Sequence, residues 1–296
     1  MAVAATGFFD GVHLGHRSVL ERLRSVARQR GEESLVVTFW PHPRSVLQQD
    51  ADRLRLLTTL DEKRRRLLAL GIDRVEVLPF NRAFSMLPAR SFVKEYLVEK
   101  FGVSTLILGY DHRLGHDSFE TPQQMMEAVA PCGVEPLRVE EFIAGDRAVS
   151  STQIRAELFR GDVCAAASML GYDYELCGVV VAGNRIGRTI GFPTANMQLY
   201  EPLKLVPANG VYAVRVDVLG ERYGGVCNIG TRPTVALGGA RTIETHILGF
   251  DQEIYGLDLR IEFCGRLRDE RRFDSLDSLK LQLAEDAKNA SALLNI

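Results

Sequence analysis

The spacing of apolar residues changes partway along this 296-residue chain, and that change constrains the fold more than any other feature. From Met1 to about Gly171, apolar runs alternate with helical patterns. Val3 to Ala5, Leu35-Val36-Val37-Thr38-Phe39, Val75-Glu76-Val77-Leu78 and Thr105-Leu106-Ile107-Leu108 read as strands, and continuously apolar strands are those covered on both faces. Between them Val19, Leu20, Leu23, Val26 and Ala27 fall at helical spacing in a helix predicted over Arg17 to Arg30. Thr59 and Glu62 form a capping box for a helix over Leu60 to Leu70, with Gly71 suited to its C-cap. This alternation predicts an α/β domain on a parallel sheet, whose ligands bind beyond the carboxyl ends of the strands.

From about Cys177 the period is two. Tyr212, Val214, Val216 and Val218 alternate with Arg215 and Asp217, and Leu257, Leu259, Ile261 and Phe263 alternate with Asp258, Arg260 and Glu262. With Tyr223 to Asn228 and Thr242 to Leu248 also strand-like, the second half reads as a mainly β domain, a small antiparallel barrel. A helix over Leu276 to Leu294, capped by Asp274 or Ser275, closes the chain. The Ala165-Ala166-Ala167 run makes the joining segment, Leu158 to Tyr174, a short helix. The expected domains are 1–171 and 175–296.

Two domains suit this length. A net charge of −2 and a pI of about 6.3 give no general electrostatic reason to bind nucleic acid or an anionic membrane. No apolar run approaches the roughly 20 residues that span a bilayer, and the first residues lack a signal-peptide pattern. The five cysteines are far apart without a CxxC pair, which indicates neither a zinc site nor a disulfide framework and fits a cytoplasmic protein. The run Lys63-Arg64-Arg65-Arg66 follows Asp61 and Glu62 on the predicted helix and reads as a solvated face. The sequence leaves an oligomer open.

Where the first strand turns into its helix, Thr6-Gly7-Phe8-Phe9-Asp10-Gly11-Val12-His13-Leu14-Gly15-His16 places two histidines three apart around a glycine. A helix N-terminus offers unpaired N–H groups and partial positive charge to an anion, and two imidazoles there can add hydrogen bonds to a triphosphate. Surface histidines, or two ligands of a metal, are the other readings of the residues alone. Ser150, Ser151 and Thr152, with Arg155, likewise put hydroxyls and a guanidinium at a helix start, suited to phosphate oxygens or simply to an N-cap run.

In the second half, Gly183-Asn184-Arg185-Ile186-Gly187-Arg188-Thr189-Ile190-Gly191-Phe192-Pro193-Thr194-Ala195-Asn196 has glycines that let backbone wrap a phosphate, without a Walker A pattern. A tight loop between barrel strands is the alternative. If Pro193 to Asn196 is extended, Thr194 and Asn196 share a face and offer two neutral oxygens to a hard cation such as Mg2+.

These segments resemble known families. His13 to His16 is similar to the HxGH signature of the nucleotidyltransferase superfamily, and FDGVHLGH to that of bacterial bifunctional riboflavin kinase/FAD synthetases. Val149 to Arg155 resembles the ISSTxIR motif of the same superfamily, Phe39 to Pro43 a T-F-x-P-H-P turn, and Gly109 to Gly115 a G-x-D/N-F-x-F-G loop in which His112 and Leu114 replace the usual aromatics. Gly183 to Asn196 resembles the GFPTAN signature of riboflavin kinases, with further matches at Asn228 to Thr234, Glu244 to Leu248 and Arg268 to Phe273.

The resemblance implies a Rossmann-like FAD synthetase domain in which His13, His16 and Arg155 contact phosphates, with Gly7, Phe8, Asp10, Gly15, Asp111, Ser150, Ser151 and Thr152 at the nucleotide or flavin. It implies a riboflavin kinase barrel with Glu244 as catalytic base, Gly183, Gly187, Gly191, Pro193 and Asn228 at the nucleotide or flavin, and Thr194 and Asn196 at Mg2+. The implied substrates are ATP, riboflavin and FMN; FMN and FAD are products or substrates rather than prosthetic groups. The alternative is an adenylyltransferase for another phosphorylated acceptor with a barrel that only senses flavin. A nucleic-acid-binding barrel is disfavoured by the acidic balance.

Overall fold

The computed structural model describes the chain except residues 48–53, 111–113, 141–142, 145–146, 184–186, 188–189 and 232–240, with only the backbone described at 143–144 and 147–148. Its contacts divide the chain into two compact units, Met1–Ser151 and Thr152–Ile296.

The first unit is a five-stranded parallel sheet ordered β3-β2-β1-β4-β5, from β1 (Ala2–Thr6), β2 (Glu33–Trp40), β3 (Arg74–Pro79), β4 (Val103–Leu108) and β5 (Glu135–Arg138). The alternation within β1 accounts for its two covered faces. Val3 and Ala5 pack with Leu20, Leu23 and Val26 of α1 (Leu14–Arg30) and Leu67, while Ala2 and Ala4 pack on the other side with Phe92, Val93 and Leu97 of the helical segment Phe92–Lys100. The short helices α2 (Pro43–Leu47), α4 (Arg82–Ser85) and α5 (Ala89–Ser91), the longer α3 (Leu60–Ala69) and α6 (Pro122–Val129), and a two-residue ladder of β6 (Ile143–Ala144) with β7 (Arg147–Ala148) complete the unit. Strand order reverses between β1 and β4, so the segment leaving β1 stands at the crevice where such sheets bind ligands.

One predicted helix starts where the sequence puts it, and another starts three residues earlier. The capping box of Thr59 and Glu62 is formed as expected, each residue's side chain accepting from the other's backbone N–H. Helix α1 starts at Leu14, ahead of the expected Arg17, because the His13 side chain caps it.

The second unit begins with α7 (Ser151–Arg160, its first residue belonging to the first unit) and α8 (Val163–Leu170). Both belong by contacts with the barrel: Ala208 N–H donates to the Leu158 carbonyl, and the Cys164 thiol to the Cys264 carbonyl. The barrel is closed and antiparallel in the order β10-β11-β12-β9-β8-β13, from β8 (Tyr174–Val181), β9 (Ala195–Leu199), β10 (Gly210–Val218), β11 (Glu221–Thr231), β12 (Arg241–Ile247) and β13 (Asp258–Arg268). Tyr174, Tyr212 and Phe263 are fully buried with their rings in contact. Val211, Ala213 and Val226, of the opposite parity, pack against Ala290 and Leu294 of the C-terminal helix, Leu276–Leu294, capped by Ser275. Arg268 fixes that helix through a bidentate bond to buried Asp286, which gives the segment starting at Arg268 a structural role.

Candidate functional sites

In the first unit the turn after β1 is bent in a way few side chains tolerate. Phe9, Gly11 and Val12 have φ of 48°, 84° and 40°. For a β-branched valine this is a strained conformation, held only if its surroundings over-determine it. They do. The buried Asp10 carboxylate accepts from the backbone N–H of Leu57 (3.0 and 3.1 Å) and Thr58 (3.0 Å) and from the Thr58 hydroxyl (3.2 Å). Gly11 N–H donates to the same hydroxyl at 3.0 Å, and the Ser151 hydroxyl donates to the Asp10 carbonyl at 2.9 Å. The sequence resemblance put Asp10 at the nucleotide or flavin; in the structure its oxygens are engaged by the chain itself.

The turn delivers His13 as the N-cap of α1, its Nδ1 accepting from His16 N–H at 3.4 Å. The two rings stack with centroids 3.6 Å apart. Gly15 permits this, because a Cβ there would lie 3.2 Å from both the His13 ring and the Val149 carbonyl. Burial, then the neighbouring His13 and Lys63, hold His16 well below the ordinary histidine pKa. Its Nδ1 is buried without a hydrogen-bond partner. A neutral imidazole at a helix N-terminus can bind an anion without first surrendering a partner.

Lys63 corrects the sequence reading. Arg64 and Arg65 are exposed as expected of a solvated face, but Lys63 is only 4% exposed and donates to the Phe8 carbonyl (2.9 Å) and the Thr38 hydroxyl (3.0 Å). The missed signal was helical spacing, since Lys63 stands one turn before the buried Leu67. Phe8 itself touches the rings of Phe39, His42 and Phe80. Gly7 precedes it, Ser150 is half-buried ahead of α7, and on α7 Thr152 is exposed and Arg155 half-buried. Asp111 and the substituted His112 lie outside the described residues.

In the second unit, register brings three predicted residues side by side. Asn228 of β11 pairs with Glu244 of β12, and Glu244 pairs with Asn196 of β9. All three are half-buried. The glycine loop leans on this row: a Cβ at Gly183 would come within 2.2 Å of the Asn196 amide nitrogen, and one at Gly187 within 2.2 Å of the Phe192 carbonyl. Phe192 N–H donates to the Gly187 carbonyl at 2.8 Å, and Gly191 has φ of 87°. His246, on the same face as Glu244, bonds the Pro193 carbonyl through Nδ1 at 2.8 Å and meets the Phe192 ring, so strand β12 fixes Pro193 and Thr194 as well. A cavity of about 640 Å³ opens beside the loop, lined among others by Gly183, Thr194, His246, Phe250 and Tyr255; of the row, Asn196 lines it and Glu244 and Asn228 do not.

The donor set fits a nucleotide-borne cation. Among the described residues no three His, Cys, Asp or Glu side chains cluster, whereas the neutral amide of Asn196 stands beside the Glu244 carboxylate, with Thr194 two residues before it. Magnesium commonly takes one or two protein ligands and completes its shell with phosphates and water.

A parallel-sheet unit with two stacked histidines at a helix N-terminus, followed by a barrel with a carboxylate beside a glycine loop, is suited to binding phosphate groups. Comparison with known proteins narrows it. Residues 1–153 match the FAD synthetase family model, and residues 170–294 match the riboflavin kinase model. The chain is 37% identical over 294 residues to the bifunctional riboflavin kinase/FMN adenylyltransferase of Bacillus subtilis, covering 98% of this chain and 91% of that protein. It is 39% identical over 289 residues to the enzyme of the same description in Escherichia coli, covering 97% and 91%. A crystal structure described as a macrolide-efflux protein of Streptococcus pneumoniae shares the fold, with a TM-score of 0.89 at 29% identity, covering 98% of this chain and 93% of that one. The chain belongs to the bifunctional riboflavin kinase/FMN adenylyltransferase family.

Proposed function

We propose that this chain phosphorylates riboflavin to FMN in its barrel and adenylylates FMN to FAD in its parallel-sheet unit, using ATP in both steps. For this reading the functional domains run 1–171 and 175–296, which assigns α7 and α8 to the adenylyl-transfer domain although their contacts group them with the barrel. The observation that carries the reading is the presence of two chemically different constellations in one chain: the stacked His13–His16 pair capping α1, and the Asn228–Glu244–Asn196 row across three barrel strands.

In the barrel, Glu244 accepts the proton of the primary alcohol of riboflavin as that oxygen attacks the γ-phosphorus, and ADP leaves. Thr194 and Asn196 would hold Mg2+, which would neutralise phosphate charge. Gly183, Gly187, Gly191 and Pro193 shape the loop against the nucleotide, and Asn228 orients the acceptor.

Adenylyl transfer needs no covalent nucleophile. A phosphate oxygen of FMN attacks the α-phosphorus in line and pyrophosphate departs, so the protein's work is orientation and charge stabilisation. His13, His16, Ser150, Ser151, Thr152 and Arg155 serve as phosphate contacts, and Asp10 and Gly15 keep the turn in shape. The five cysteines, none of them in a disulfide, suit a reducing compartment, the cytoplasm.

Incubating the purified chain with riboflavin, ATP and Mg2+ tests this. Chromatography should resolve FMN, then FAD, with ADP and pyrophosphate released in matching amounts. Absence of both flavin products would overturn it.

A further inference from the structure

Lys63 is a buried charge that the reaction as described does not use. Its ammonium reaches the Phe8 carbonyl at 2.9 Å, and Thr38, its second acceptor, donates to that carbonyl at 3.4 Å. Phe8 opens the strained turn in which Phe9, Gly11 and Val12 all have positive φ, and that turn ends on His13. Asp10 fixes the far side of the turn through Leu57 and Thr58; Lys63 fixes the near side.

A neutral donor would satisfy one carbonyl without the desolvation of an ammonium, so the charge itself calls for an explanation. The charged or titratable groups facing it are Asp10 from the turn and His16 from α1; β2 presents only the neutral Thr38, and on its own helix Glu62 is engaged with the Thr59 N–H. The Lys63 ammonium donates to the Phe8 carbonyl and the Thr38 hydroxyl, while the Asp10 oxygens accept three donors from Leu57 and Thr58. A region receiving a triphosphate and a flavin phosphate gains from a fixed cation that phosphate need not displace from a carboxylate.

We propose that Lys63 is a positioning residue of the adenylyl-transfer centre: its ammonium fixes the Phe8 carbonyl, and with it the turn that sets His13 and His16, while placing positive charge beside the phosphates. This rests on the adenylyltransferase reading of the first unit. Burial brings Lys63 down to about 8, with Asp10 pulling the other way, so the free enzyme loses this charge in mildly alkaline solution.

The full-length chain and its Lys63→Met and Lys63→Arg variants test the assignment. FAD formation from FMN and FMN formation from riboflavin are measured separately on each sample between pH 6 and 10. Lys63→Met should lower kcat/KM for FAD formation on the order of 100-fold, the usual penalty of a small misplacement at a reacting centre, and leave FMN formation within twofold. Wild-type kcat/KM for FAD formation should decline above about pH 8. In Lys63→Arg, whose guanidinium keeps its proton, that decline should move to higher pH. A merely structural lysine would leave the alkaline limb of Lys63→Arg where it is in the wild type; that result, or a Lys63→Met variant within threefold of wild type, overturns the proposal. If Lys63→Met does not fold, the Lys63→Arg limb decides alone. A wild-type chain making FMN but no FAD would instead overturn the adenylyltransferase reading, and the role of Lys63 with it.

Discussion

Glu244 stands directly opposite Asn196 in the pairing of β12 with β9, and opposite Asn228 in the pairing of β12 with β11. Neighbours in register lie about 5 Å apart across a sheet, so Glu244 has an amide side chain beside it on each flanking strand. The carboxylate is therefore positioned by strand geometry rather than by a mobile loop. Replacing it tests its chemistry with little effect on the fold.

Glu244→Gln preserves size and hydrogen bonding but cannot accept the alcohol's proton. FMN formation should fall about 10²- to 10⁴-fold, the usual contribution of a general base. FAD formation from supplied FMN should be unchanged, because that chemistry belongs to the other unit. An equal fall in both rates would show that the substitution had damaged the whole chain.

Gly183→Ala tests the loop. The added Cβ would overlap the Asn196 amide, with a separation of 2.2 Å, and a side-chain end can swing away where backbone could not. The barrel should therefore keep its stability while Asn196 moves off the site. The expected outcome is a fall in FMN formation on the order of 100-fold, with an unchanged melting temperature. A variant with normal kinase activity would remove Asn196 from the nucleotide site.

Asp10→Ala should act through the fold of the first unit. It strips the acceptor from the Leu57 and Thr58 amides and the Thr58 hydroxyl, all in a buried setting. Lost bonds to a charged group, with donors left unsatisfied, cost about 3 kcal/mol. Trp40, the only tryptophan, lies in β2 and reports on this unit in urea. Its fluorescence transition should shift to lower urea while kinase activity persists beyond it. Unfolding of the two units need not coincide.

Local patterns in the sequence carry much of this. The capping box of Thr59 and Glu62, the helix behind Ser275, and the parity that puts Glu244 and His246 on one face of β12 all rest on residues within a turn or a strand of one another. What escaped depends on distant partners or unusual ones. Asp10 meets acceptor-seeking groups 47 and 48 positions away, and Lys63 reaches Phe8 across 55. Histidine is not a usual N-cap residue, so the sequence pattern starts the helix at Arg17 and not at Leu14. The row of Asn196, Glu244 and Asn228 needed the register of three strands, which alternation alone leaves undefined.

His16 gives the first unit a pH signature with a definite sign. In the folded state burial, His13 and Lys63 hold its pKa well below that of the unfolded chain, about 6.5. Above that value both states leave the ring neutral and stability is fully present. As pH falls below about 6.5, the unfolded chain takes up a proton that the folded chain refuses, so stability declines until the folded pKa is passed. The urea midpoint reported by Trp40 should therefore fall between pH 6.5 and 5 in the wild type. His16→Asn, which has no proton to gain, should lose part of that slope. Identical slopes in the two proteins would mean that His16 is not held neutral by the fold, and its role as an uncharged phosphate ligand would go with it.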